Sequence, residues 1–78
     1  MEIACLIREL RQELGLSQEK LAAKLGVSFR TINRWENGRA APSPLALKQV
    51  EGLLQQMSHS SKAIVRERGK DMLAKYFL

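Results

Sequence analysis

The sequence is that of an all-α fold, on three grounds. Apolar residues recur at i, i+3, i+4 and i+7 in successive segments, as one face of a helix requires. Serines stand just before these segments and glycines just after them, where helices take their caps. No run alternates β-branched with polar residues, and no tight two-residue turn joins two apolar strand-like stretches.

The first helix is carried by Ile3, Leu6, Ile7, Leu10 and Leu14, with Gly15 at the position that stops it. Ser17 is the N-cap of a second, short helix whose inner stripe is Leu21, Ala22 and Leu25, and Gly26 ends it. Ser28 caps a third helix that finishes around Asn37-Gly38. Arg39 to Pro42 form a loop. Ser43, with Pro44 at the first helical position, opens a fourth helix. Its apolar side is Leu45, Leu47, Val50, Leu53, Leu54 and Met57, and Ser58 to Ser61 read as a break. The segment beyond has Val65, Gly69, Met72, Leu73 and Tyr76 on one face and Lys62, Arg66, Arg68, Lys70 and Lys75 mostly elsewhere. Gly69 weakens a helix by about 1 kcal/mol relative to Ala, so a bend is expected there.

With 78 residues the chain holds one small domain of modest stability. Cys5 is the only cysteine, so no internal disulfide can form, and it reads as a small, partly buried side chain in a reducing, cytoplasmic setting. His59 is the only histidine and lies in a Ser-rich linker, so no metal and no cofactor are expected. No apolar run reaches the roughly 18 residues that a membrane span needs, and no secretory leader pattern is present. A formal net charge of +5 suits a polyanionic partner. Enzyme chemistry has no foothold. No nucleophile stands beside a histidine, no carboxylates pair in an apolar setting, and the glycines are too widely spaced to cradle phosphate.

The third helix carries the functional signal. Wound at about 100° per residue, it turns Ile32 and Trp35 inward. Arg30, Asn33, Arg34 and Asn37 face the other way, with Phe29 at the N-terminal shoulder. An ordinary solvated face could look like this on any helix. Here the residue types match base chemistry, because Arg can grip guanine O6 and N7 and Asn can pair with adenine N6 and N7. Two short helices joined by a three-residue turn containing Gly also form the helix-turn-helix arrangement.

Three blocks stand at fixed spacing: Leu16-Ser17-Gln18-Glu19-Lys20-Leu21-Ala22, Leu25-Gly26-Val27-Ser28 and Ile32-Asn33-Arg34-Trp35-Glu36-Asn37-Gly38. Together with Pro42-Ser43-Pro44 they resemble the phage repressor and Cro type of helix-turn-helix domain, also called the xenobiotic-response-element family. The resemblance implies a lambda-repressor-like four-helix DNA-binding domain over residues 3–57, with its helix-turn-helix helices at about 17–25 and 28–37. Residues 58–78 add a basic amphipathic extension of one or two helices. By position, it implies base contacts from Phe29, Arg30, Asn33 and Arg34, and backbone contacts from Gln18, Ser28, Thr31, Asn37 and Arg39. It also implies a structural ion pair between Arg11 and Glu36. Many members carry a basic cluster after the position of Gly38. Ala40-Ala41-Pro42 replaces it here.

The expected function is a sequence-specific transcriptional regulator, a repressor, acting as a homodimer on double-stranded DNA. The alternative is the antitoxin of a toxin–antitoxin pair, which represses its own operon and binds a toxin through residues 58–78. A restriction–modification controller and an interaction module that has lost DNA are further rivals. Three roles stay open for the C-terminal apolar face: packing back on the domain, pairing with a second subunit, or binding another protein.

Overall fold

The computed structural model describes residues 2–78. All the secondary structure among them is helical: α1 Ile3–Leu14, α2 Gln18–Leu25, α3 Phe29–Glu36, α4 Pro44–Ser58 and α5 Ala63–Phe77. None of these helices is long and apolar enough to cross a membrane. The chain divides into two compact units, one ending at Ser43 and the other Pro44–Leu78.

In the first unit α3 packs against both α1 and α2. Leu6, Ile7 and Leu10 of α1, Leu21, Ala22 and Leu25 of α2, and Ile32 and Trp35 of α3 are its buried apolar side chains. Each fully buried Leu or Ile stabilises the fold by about 1.5–3 kcal/mol. Cys5 is exposed, which corrects the expectation of partial burial. It stands one residue ahead of Leu6, and about 100° of rotation takes it off the buried stripe.

The helix ends are set locally. Ser17 Oγ accepts from Lys20 N, and Ser28 Oγ accepts from Thr31 N, both at 3.1 Å. Between these caps the chain turns at Gly26, whose φ of 72° would strain any residue with a side chain. There Val27 N donates to Ala22 O and Gly26 N to Ala23 O, which satisfies the last carbonyls of α2. The end of α3 repeats the pattern, with Arg39 N donating to Arg34 O at 2.9 Å. That bond fixes where Arg39 leaves the helix.

In the second unit α4 and α5 pack on each other. Val50, Leu54 and Met57 of α4 and Met72 and Tyr76 of α5 are buried. Leu45, expected on the apolar side of α4, is 68% exposed, since it lies in the first turn of the helix. The helix expected to weaken at Gly69 is not interrupted there. α5 runs unbroken through this residue, which is buried where α4 crosses closely. A Cβ there would lie 2.6 Å from Ser58 N and 2.8 Å from Met57 Cβ. Gly69 is a contact point and not a weak one.

Candidate nucleic-acid interface

α3 is short, and its two sides differ sharply. Ile32, Trp35 and Glu36 are buried. Arg30, Arg34 and Asn37 are exposed, Asn33 and Thr31 are half-buried, and Phe29 is 48% exposed at the first helical position. Ser28 keeps its hydroxyl at the helix start, 3.0 Å from Thr31 Oγ1. Arg30, Asn33, Arg34 and Arg39 line one surface concavity of about 500 Å³. Three guanidinium groups around one recess make it suited to anionic or acceptor-rich ligands.

The reverse side of α3 is held by charge. Arg11 Nε donates to Glu36 Oε2 at 2.8 Å and Nη2 donates to Oε1 at 3.1 Å, a two-pronged grip. Its Nη1 also reaches Leu16 O at 3.4 Å, at the end of α1. Arg8 Nη2 donates to the backbone oxygen of Glu36 at 2.9 Å, and its Nε stands 3.8 Å from the carboxylate. A cation thus meets the carbonyl end of α3, where the helix dipole is negative. Burial by itself would raise the pKa of Glu36. Hydrogen bonds from Arg11 and Gln18, with the charges of Arg11 and Arg8, outweigh it and hold the carboxyl below its ordinary 4.5. The same contact raises the pKa of Arg11, so both partners stay ionised.

A chain of amides runs along the other side of α3. Asn33 Nδ2 donates to Gln18 Oε1 at 3.3 Å, and Asn37 Nδ2 donates to Asn33 Oδ1 at 3.1 Å. α2 and α3 are joined through it. The structure therefore brings Gln18, Asn33 and Asn37 together, and gathers Arg30, Arg34 and Arg39 beside them. Arg8 belongs to no motif, and its one signal in the sequence is a spacing of three from Arg11, which places both on one face of α1. Among the described residues no group of three or more His, Cys, Asp or Glu could hold a metal ion.

Comparison with known proteins agrees with this geometry. A family model described as helix-turn-helix matches residues 7–59. The chain is 58% identical over 45 residues to an uncharacterized HTH-type transcriptional regulator of Methanothermobacter thermautotrophicus, covering 58% of this chain and 65% of that protein. It is 42% identical over 52 residues to a type II methyltransferase of Lactococcus lactis subsp. cremoris, covering 63% of this chain but 13% of the enzyme. A type II methyltransferase of Shigella sonnei is 43% identical over 51 residues, with 62% and 14% covered. The chain thus spans under two thirds of each of these relatives, and only a small part of the methyltransferases. No solved structure matches the chain.

Proposed function

The chain belongs to the phage repressor and Cro-type helix-turn-helix family, and on that premise we propose that it is a sequence-specific, duplex-DNA-binding transcriptional regulator that acts as a repressor. The observation that carries the reading is the two-sidedness of α3. Ile32 and Trp35 anchor it, while Arg30, Arg34 and Asn37 stand exposed. In this reading α3 enters the major groove with Phe29, Arg30 and Arg34 toward base edges and Asn33 between them at the seam with α2. Gln18, Ser28, Thr31, Asn37 and Arg39 lie toward the sugar–phosphate backbone. The DNA-binding domain is residues 3–57, and residues 58–78 extend it.

One such helix covers a short site. A homodimer on an inverted repeat, with half-sites about one helical turn apart, would supply the remaining affinity and selectivity. A second reading is favoured by the two methyltransferase relatives, whose matched parts are small shares of those enzymes. It makes this chain a DNA-recognition element working with a DNA methylase. The antitoxin reading has less support. A tail that ordered only on a toxin would leave Met72 and Tyr76 uncovered in the isolated chain, and both are buried.

Selection from random duplex DNA at low and at physiological salt tests the proposal. An enriched inverted repeat supports a dimeric regulator, and a single enriched half-site supports a monomeric recognition element. Binding that is unselective and vanishes with salt would reduce α3 to a charged surface.

A further inference from the structure

The outward side chains of α3 differ in how free they are. Arg30 and Arg34 stand one turn apart and exposed, and neither guanidinium is hydrogen-bonded or ion-paired among the described residues. Asn33 is half-buried, and both ends of its amide are engaged, Nδ2 by Gln18 and Oδ1 by Asn37.

The three amides run in one direction. Asn37 Nδ2 donates to Asn33 Oδ1, and Asn33 Nδ2 donates to Gln18 Oε1. Asn33 is thus held both from the end of α3 and from α2.

An asparagine that reads adenine uses both ends of its amide at once, on N7 and N6. One N–H and one lone pair of Asn33 are already committed to Gln18 and Asn37, which fixes the plane of its amide before any base is met. A free guanidinium gives up nothing, and it offers two parallel donors to guanine O6 and N7. Given the DNA-binding reading, on which this rests, we infer that the Arg30–Arg34 pair selects guanine and that Asn33 is a positioning residue locking α3 to α2 through Gln18. Four helical residues rise about 6 Å, against about 3.4 Å per base pair. Two guanines, on either strand, then fall within three consecutive base pairs of each half-site.

The test uses the full chain and the duplex selected from a random pool. Two guanines within three base pairs are expected, and changing either G·C pair to A·T weakens binding about 5- to 150-fold. Each loss disappears in one of Arg30→Ala and Arg34→Ala. Substituting 7-deazaguanine, which lacks only the N7 acceptor, needs no protein variant and costs several-fold at the same two positions. Asn33→Ala lowers affinity for all sequences alike, Gln18→Ala does the same, and the double variant is no weaker than the worse single one. A half-site without those guanines, guanine losses indifferent to both arginine substitutions, or an adenine position relaxed by Asn33→Ala overturns the assignment and leaves the DNA-binding reading standing. If the wild-type chain selects no site at all, that reading falls and the guanine assignment falls with it.

Discussion

Arg11 holds both carboxylate oxygens of Glu36, across 25 residues of sequence, and so ties the last turns of α1 to the end of α3. The Glu36 side chain is 4% exposed and that of Arg11 25% exposed, so the carboxylate is the partner that cannot survive alone.

Arg11→Ala is therefore expected to destabilise the chain by about 3 kcal/mol, because removing one partner leaves a buried charge uncompensated. Arg8 remains within 3.8 Å and keeps the loss from being larger. Urea unfolding of the two proteins measures the difference. A loss under about 1 kcal/mol would put the pair on the level of an ordinary surface salt bridge.

The pair also sets an acid limit. The carboxyl of Glu36 titrates below 4.5 in the folded chain and near 4.5 when unfolded. Its contribution is fully present above 4.5 and is lost as pH falls through the lower, folded value. Wild-type stability should fall in that window, while Glu36→Gln, less stable at neutral pH, should lose less there. Unfolding curves taken from neutral pH to below 4 check this, and parallel losses in both proteins would contradict it.

Two glycines of the second unit should respond to alanine with opposite sign. Gly52 is exposed on α4 with open space where a Cβ would go, so Gly52→Ala should stabilise by about 0.5–1 kcal/mol through helix propensity. Gly69→Ala places its methyl against Ser58 N and Met57 Cβ, and should destabilise by about 1–3 kcal/mol despite the same propensity gain. Thermal and urea unfolding of both variants read the signs. A stabilised Gly69→Ala would mean that α4 and α5 separate easily.

Arg39 leaves α3 beside Arg30 and Arg34 without belonging to the helix. In the DNA-binding reading it holds phosphate, so Arg39→Ala should weaken all duplexes similarly. The slope of log affinity against log salt should drop by about one. Titrations of selected and random duplex at several salt concentrations measure both quantities. A loss confined to the selected sequence would make Arg39 a base reader.

Much of this was legible beforehand because helix ends are local. Ser17 and Ser28 bind amides three residues on, and Gly15, Gly26 and Gly38 turn the chain where they stand. The inward placement of Ile32 and Trp35 also followed from periodicity alone, since one side of a short helix must be buried. The candidate site was readable as a set of residues but not as a division of labour. Nothing in the spacing shows that Asn33 spends its amide on Gln18 while Arg30 and Arg34 stay free.

The all-helical class, the caps and stops, and the polar outer face of α3 follow from local sequence, because each depends on a few neighbouring residues. Packing between distant segments settled the rest. It made Gly69 a crossing point of two helices, put Arg8 on the backbone of Glu36, and joined three amides in a row from α2 to the end of α3. Those outcomes depend on which helix faces are brought within bonding distance, and that distance is set by packing between segments far apart in the chain.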